Sequence, residues 1–238
     1  MKFSIRREIN FFNFEKGLSG LDGVPIELAL PYILDDFLAG MDRIDDLAAF
    51  VKNNDIIVNS VHAPQGRLTD ERFMFWALPT VQFAEYIGAC FVVFHPENAT
   101  KLSKPNLQTI ALQNVKALQN RTPVTVAIET FGKAKNLITP EETIEKGLPM
   151  VLDTSHLFVE RIFEVINSYA HGIAGVHLSE ARGEGKETLQ HLPVRTYGFA
   201  VLEKLKEKNW DGSVTLEYLT EFHDQLIPDR DALQGLFG

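Results

Sequence analysis

Seven acidic or imidazole side chains stand at the ends of apolar runs, at intervals of 24 to 40 residues along the chain. In sequence order they are Glu27, His62, His95, Glu129, Asp153, His177 and Glu217. Carboxylate and imidazole groups together suit Zn²⁺, Mn²⁺, Fe²⁺ or Co²⁺, whereas a purely carboxylate set suits Mg²⁺ or Ca²⁺ better. Burying so many of these groups without compensating cations would be costly. The pattern therefore predicts a divalent-metal site.

The stretch Met150–Leu157 shows this pattern most clearly. Three apolar residues are followed by Asp153, and His156 comes three positions later. A single such residue has an ordinary structural explanation, as a hydrogen-bonded core histidine or a buried ion-pair partner. For Glu27 a structural role and a role at the site are equally well supported, and His171 and His223 are expected to be solvated or structural. For the seven strand-end residues taken together, the repeated occurrence of such a group at the end of an apolar run favours a metal site.

Eight short apolar runs predict the strands that would position these side chains. They cover residues 2–5, 24–30, 55–62, 89–95, 124–129, 150–157, 173–178 and 213–218. Apolar spacing and capping residues predict intervening helices. The first four are a helix over 34–52, one starting at Thr69, one over 105–119 with Ile110 on its apolar side, and one capped by Thr139. The others are a helix over 159–169, one over 197–208 with Phe199 facing inward, and a short final helix. Residues 11–23 are expected to be irregular apart from a short helix, and 181–194 to form a loop.

Alternation of strands and helices predicts parallel strands joined by crossover helices. Eight units of about 30 residues match an α/β fold of the (β/α)₈ TIM-barrel type, as a single domain over residues 1–238. An open, doubly wound sheet is the alternative, but the glycine-rich phosphate loop expected after its first strand is not seen. In a parallel barrel the carboxyl ends of all strands meet at one face, so distant residues would converge there.

Composition narrows the classes of function. The 238 residues carry a net charge of −9, which opposes non-specific binding along a nucleic-acid backbone. No apolar run reaches the roughly 18–20 residues of a membrane span, and the first residues do not resemble a secretion signal. Cys90 is the single cysteine, and its apolar neighbours predict a buried, inert thiol. Together these features predict a cytoplasmic protein that contacts no membrane.

Seven short motifs follow one another along the chain: V-H-A-P (61–64), F-H-P-E (94–97), A-I-E-T (127–130), L-D-T-S-H (152–156), V-H-L-S-E (176–180), Q-H-L-P-V (190–194) and L-E-Y (216–218). In this order they resemble the xylose-isomerase-like barrel superfamily, which includes sugar isomerases, sugar epimerases and endonuclease IV. The resemblance covers nearly the whole chain. It is specific for the superfamily and much less so for the reaction.

Resemblance to the isomerases and epimerases implies one divalent metal, Zn²⁺ or Mn²⁺, held by the family's Glu, Asp, His and Glu. The matching residues are Glu129, Asp153, His177 and Glu217. The two glutamates would transfer protons through a metal-stabilised enediolate of a small sugar, sugar phosphate or polyol-derived ketose. Under this hypothesis His62 and His95 line the pocket or hold a second ion. The substrate would be bound by His156, His191, Arg182, Glu180 and Glu27.

Resemblance to endonuclease IV implies a larger set and a different reaction, phosphodiester cleavage at abasic sites in DNA. That family's three zinc ions would match His62, His95, Glu129, Asp153, His156, His177, His191 and Glu217. The sequence departs from the pattern at Leu189, where the family has an aspartate, so a third ion would keep only His156 and His191. A two-metal site with Glu129 as the bridge fits better. The acidic charge and short loops argue against binding DNA, and a non-catalytic metal- or sugar-binding module is a third hypothesis.

Overall fold

The computed structural model describes residues 1–97, 104–130, 137–183 and 188–238. The strands in these ranges are β1 (Lys2–Glu8), β2 (Ile26–Ala29), β3 (Val58–His62), β4 (Phe91–Phe94), β5 (Thr125–Glu129), β6 (Met150–Asp153), β7 (Ile173–Leu178), β8 (Glu180–Arg182), β9 (Leu189–Leu192) and β10 (Ser213–Leu216). All except β8 and β9 form a closed barrel in the order β1-β10-β7-β6-β5-β4-β3-β2. The predicted (β/α)₈ barrel is confirmed, and the open-sheet alternative is wrong because the sheet closes.

Helices alternate with the barrel strands. They are α1 (Phe14–Leu18), α2 (Leu34–Gly40), α3 (Ile44–Asn53), α4 (Phe73–Ile87), α5 (Lys104–Gln119), α6 (Pro140–Glu145), α7 (Val159–Tyr169), α8 (Tyr197–Glu207) and α9 (Leu226–Phe237). At the start of α6, Thr139 and Glu142 form the reciprocal pair of hydrogen bonds that the sequence predicts. Across the ranges described, no helix combines the length and apolar character that crossing a membrane requires.

Chain contacts divide the residues into two compact units. Unit 1 comprises Met1–Arg6, Glu129–Ala134 and Thr139–Gly238, and unit 2 comprises Arg7–Ile128 and Lys135–Ile138. In unit 1 the parallel ladders join β6 to β7 and β7 to β10. In unit 2 they join β2 to β3 and β3 to β4. The assignment of the whole chain to one domain remains a prediction.

Strands β2 to β7 and β10 are buried along nearly their whole length, as their continuous apolar runs predict for parallel strands covered on both faces. All four residues of β4 and of β6 are buried. In unit 2, α4 packs an aromatic group on β4: the ring centroids of Phe73 and Trp76 are 5.2 Å apart, and those of Trp76 and Phe94 are 5.7 Å apart. These edge and tilted contacts hold α4 against the strand that precedes His95.

Three predicted elements differ in the structure. The single helix over 34–52 is two helices, because a 3₁₀ turn at Met41–Arg43 follows Gly40. The helix expected to begin at Thr69 begins at Phe73, because Thr69 donates its N–H and hydroxyl to the buried carboxylate of Glu97. The loop expected over 181–194 contains part of an antiparallel pair, β8 with β9, while residues 184–187 lie outside the described residues.

Three expectations about burial are wrong. Cys90 is exposed because it precedes β4, before the chain enters the covered part of the sheet. Phe199 on α8 is 37% exposed, although it was expected to face inward, and Ile110, expected on the apolar side of α5, is 41% exposed. Each lies at the border of its helix's apolar stripe, where spacing alone assigns the side chain ambiguously.

Gly40 provides a test of packing within unit 2. A Cβ at this position would lie 2.6 Å from Cδ2 of the buried Phe11 ring. We expect Gly40→Ala to lower the free energy of unfolding by about 1–3 kcal/mol, as overpacking does in well-filled interiors. Urea unfolding followed by circular dichroism measures this change.

The matched control is Gly235→Ala in α9, where a Cβ would meet nothing within 4 Å. Because alanine is the better helix former, this variant should be unchanged or more stable by up to about 1 kcal/mol. Equal stability of the two variants would contradict the proposed clash.

Candidate metal centre

Strand register brings four of the predicted ligands together within unit 1. Asp153, the last residue of β6, is paired with His177 of β7. His177 is paired in turn with Thr215 of β10, and Glu217 follows two positions later, just past the end of that strand. Residues two apart in a strand point to the same side, so His177 and Glu217 share a face. Glu129 is the last residue of β5.

The side chains of these residues meet at His177. Its Nδ1 lies 2.6 Å from Oε1 of Glu129 and 3.2 Å from Oε2 of Glu217. One ligand atom from each of Glu129, Asp153, His177 and Glu217 lies within 4.8 Å of all the others. Glu129, Asp153 and His177 are buried, and the side chain of Glu217 is 15% exposed. We call these four residues the four-ligand cluster.

Three carboxylates at such short range perturb one another. Burial raises the pKa of Asp153. The nearby charges of His156 and His191 lower this pKa, whereas those of Glu129 and Glu217 raise it further. Burial also tends to raise the pKa of Glu217, but the positive charge of Arg6 and the neighbouring His177 and His191 outweigh it and lower the pKa to about 2. Glu217 is therefore ionised at neutral pH, whereas the surroundings of Asp153 disfavour its ionised form.

A divalent cation fits this cluster. The buried Oδ2 of Asp153 accepts no hydrogen bond from any residue in the described ranges, and Nε2 of His156 lies 3.5 Å from it. The other carboxylate oxygen is fixed, since Oδ1 accepts from the N–H and the hydroxyl of Ser155 at 2.7 and 2.9 Å. One imidazole and three carboxylates form a mixed N/O donor set, which transition-metal ions such as Mn²⁺ or Zn²⁺ accept readily. The four residues could hold one ion.

Arg6, which the sequence reasoning missed, also belongs to this site. It lies on β1, and its Nη1 is 2.5 Å from Oε1 of Glu217. The predicted first strand ended at Ile5, whereas β1 continues to Glu8. An arginine directly after the apolar residues of a strand is the signal that could have indicated it.

Two further predicted residues, His156 and His191, lie beside Asp153. A ligand atom from each, together with one from Asp153, falls within 4.8 Å of the other two. Their rings meet edge to face with centroids 5.2 Å apart. Gln190, another residue not predicted, has its Nε2 at 2.9 Å from Nδ1 of His156. Leu189, the position at which the resemblance to endonuclease IV would require an aspartate, is 58% exposed.

Glu180 and Arg182 were predicted to contact substrate. Glu180 is buried, and its Oε1 accepts N–H groups of Arg195, Thr196 and Gly198 at 2.6–3.0 Å, at the start of α8. These bonds anchor α8, because the first N–H groups of a helix have no partners within it. Arg182 is exposed on β8. The substrate contacts of both residues remain predictions.

The anchoring carboxylate predicts a pH-dependent stability. Although burial tends to raise the pKa of Glu180, the hydrogen bonds from Thr196, Gly198 and Arg195 prevail and lower it below its ordinary value of 4.5. Its contribution to stability is therefore present above about pH 4.5 and is lost as the pH falls through the lowered pKa. We expect Glu180→Gln to lose about 1–2 kcal/mol at neutral pH.

Thermal unfolding of Glu180→Gln and the wild type across acidic and neutral pH measures this loss. The two curves should converge at the acid end. Glu207→Gln is the control, because Glu207 pairs with Lys204 on the surface and its side chain is 63% exposed. A constant difference between Glu180→Gln and the wild type at every pH would contradict the assignment.

The remaining predicted residues lie in unit 2. His62 ends β3 and His95 directly follows β4, and their Nε2 atoms are 3.1 Å apart. The ring of Tyr32 meets the His95 ring edge to face, with centroids 5.9 Å apart. Glu27 is fully buried on β2, where its Oε2 accepts the hydroxyl of Ser60 at 2.8 Å. The structure thus pairs the two histidines, and their role as ligands of a second ion remains a prediction.

Comparisons with known proteins identify the fold family. The model of the family described as "Xylose isomerase-like TIM barrel" matches residues 19–235. No curated protein sequence matches the chain significantly. A solved structure of a D-tagatose 3-epimerase-like protein superposes with a TM-score of 0.70 at 18% identity, over 99% of this chain and 96% of that one.

Two more solved structures are similar at the level of the fold. D-psicose 3-epimerase, crystallised in the presence of D-fructose, has a TM-score of 0.66 at 17% identity and covers 97% of this chain and 89% of its own. An AP endonuclease, family 2, from Brucella melitensis has a TM-score of 0.67 at 15% identity and covers 91% and 92%. At these identities the likeness shows a shared fold. The family match over most of the chain shows that the protein belongs to the xylose isomerase-like TIM-barrel family.

Proposed function

We propose that this protein is a divalent-metal-dependent isomerase or epimerase of a small sugar, sugar phosphate or polyol-derived ketose. The observation that carries the proposal is the four-ligand cluster, in which two glutamates contact the same histidine. A carbon acid next to a carbonyl needs one group to remove its proton and another to return it. Glu129 and Glu217 are two carboxylates of the kind this reaction requires. Two of the similar structures are named as ketose 3-epimerases or epimerase-like proteins, which supports the substrate class.

The roles of the chain's own residues follow from their environment. Arg6 keeps Glu217 ionised at neutral pH, which is the form in which a carboxylate can act as a base. Glu129 would deliver a proton to the same carbon from the other side, and the two roles exchange for the reverse reaction. Mn²⁺ or Zn²⁺, bound by the four-ligand cluster, would supply Lewis-acid polarisation of the substrate carbonyl.

Substrate hydroxyls need polar partners around this pair. His156 and His191 flank Asp153 and retain partial exposure, with side chains 14% and 20% exposed. We propose that these two imidazoles bind substrate oxygens, with Arg182 reaching a more distal group such as a phosphate. Glu180 and Glu27 complete the proposed set, although each already has a buried hydrogen-bond partner.

Proton exchange with solvent tests the proposal without knowing the product. Protein stripped of metal and reloaded with Mn²⁺ or Zn²⁺ is incubated in D₂O with a panel of ketopentoses, ketohexoses and their phosphates. We expect deuterium to enter the carbon next to the carbonyl of at least one sugar, as followed by NMR. Chelator and Glu129→Gln should each abolish the exchange. Full loading with metal and no exchange across the panel would exclude the proposed reaction.

A second candidate function, phosphodiester cleavage at abasic sites, is favoured by the cluster of Asp153, His156 and His191. One ligand atom from each of these three residues lies within 4.8 Å of the other two, although Asp153 is shared with the four-ligand cluster. Within unit 2, His62 and His95 are the residues that the sequence offers as ligands of a further ion, and their Nε2 atoms are 3.1 Å apart. A zinc-dependent nick in an abasic duplex, lost in His95→Ala and in His191→Ala, would establish this function. Intact duplex after zinc reconstitution would exclude it.

A further inference from the structure

Arg6 meets the four-ligand cluster through strand pairing. The register of β1 with β10 pairs Ile5 with Leu216, so the next residues along the two parallel strands, Arg6 and Glu217, lie side by side. Their side chains are 11% and 15% exposed, and the guanidinium nitrogen is 2.5 Å from the carboxylate. An ion pair this sheltered is screened far less by salt than a surface pair.

The two oxygens of Glu217 have different neighbours. Oε1 contacts Nη1 of Arg6 and lies 3.7 Å from Nδ1 of His191. Oε2 lies 3.2 Å from Nδ1 of His177, within the four-ligand cluster. The carboxylate is therefore held with one oxygen on Arg6 and the other directed to the ligands.

We propose that Arg6 is a positioning residue of the metal centre: it holds Oε1 of Glu217, directs Oε2 to the ion, and its own positive charge weakens cation binding. This inference rests on the proposed function only in requiring a metal ion at the four-ligand cluster. An arginine is suited to the task because its planar fork fixes the orientation of a carboxylate, whereas a lysine provides a point charge on a flexible stem.

Two effects of removing Arg6 can be separated. Without its charge, the negative potential at the cluster increases, so a divalent cation should bind more tightly. Without the fork, Glu217 can rotate, so proton transfer should slow. A residue that merely supported the fold would, when replaced, weaken metal binding along with stability.

The experiment compares Mn²⁺ binding by isothermal titration calorimetry at neutral pH, using full-length protein stripped with chelator. We expect Arg6→Gln to bind Mn²⁺ about tenfold more tightly than the wild type, since a full positive charge is lost near the ion. Arg6→Met keeps the aliphatic stem without the charge and has the same expected result. Arg6→Lys keeps the charge and should stay within about twofold of the wild type.

Arg7→Gln is the control, because it removes the same charge from the next position of β1, where the side chain points to the other side of the sheet. Thermal unfolding provides a second measurement: saturating Mn²⁺ should stabilise Arg6→Gln more than it stabilises the wild type.

Mn²⁺ binding that is unchanged or weaker in both Arg6→Gln and Arg6→Met would overturn the proposal, as would an equal gain in Arg7→Gln. A wild type that binds neither Mn²⁺ nor Zn²⁺ would overturn both the metal centre and the role of Arg6. Normal Mn²⁺ binding without ketose exchange would reject only the proposed reaction, because the affinities of the Arg6 variants are measured without substrate.

Discussion

Replacing Glu217 with glutamine is expected to lower the rate of ketose proton exchange by about 10³-fold, within the range measured for loss of a general acid or base. Glutamine keeps the shape and an oxygen for Arg6, but it cannot accept a proton at neutral pH. It also removes one anionic ligand, so Mn²⁺ must be supplied at saturating concentration, confirmed by titration, before rates are compared. Deuterium incorporation followed by NMR is the measurement.

The matched control for this variant is Glu207→Gln, a surface substitution of the same chemical type. It should exchange at the wild-type rate. Undiminished exchange by metal-loaded Glu217→Gln would remove this residue from the proton-transfer pair and, with it, the proposed two-glutamate mechanism.

Replacing Asp153 with asparagine is expected to weaken Mn²⁺ binding by at least about a hundredfold, because even residues that only support metal ligands cost up to that factor when changed. Asparagine retains an oxygen for the hydrogen bonds from Ser155, so the fold around it should persist. Calorimetric titration with Mn²⁺ measures the loss. Asp46→Asn, at a surface ion pair whose aspartate side chain is 63% exposed, is the control and should bind normally.

Although Asp153→Asn should weaken metal binding, it should stabilise the metal-free protein. Burial and the neighbouring carboxylates raise the pKa of Asp153 above its ordinary value of 3.8, so its charge opposes folding as the pH rises past that value. We therefore expect metal-free Asp153→Asn to be more stable than the metal-free wild type at neutral pH, with the difference vanishing below about pH 3.8. If metal-free Asp153→Asn were less stable than the metal-free wild type at all pH values, Asp153 would be a residue that stabilises the fold without a bound cation.

Much of the fold could be predicted from the sequence because its signals are local. Apolar runs bounded by turn residues mark strands, and the box formed by Thr139 and Glu142 marks a helix start. Those signals were sufficient for eight strands and a barrel. They failed where a distant partner competes with a local preference, as at Thr69, whose capping groups bind Glu97 28 positions away.

The sequence by itself determined which residue types stand at the strand ends, and thus the donor set of Glu129, Asp153, His177 and Glu217. Only the tertiary structure decided which partner each of their oxygen and nitrogen atoms contacts. Barrel closure places β1 beside β10, and this pairing gives Glu217 its contact with Arg6 from 211 positions away. The physical reason is that the apolar periodicity of the sequence indicates which side of each strand or helix is buried. The partner of a buried charge lies on the neighbouring strand, which the periodicity does not identify.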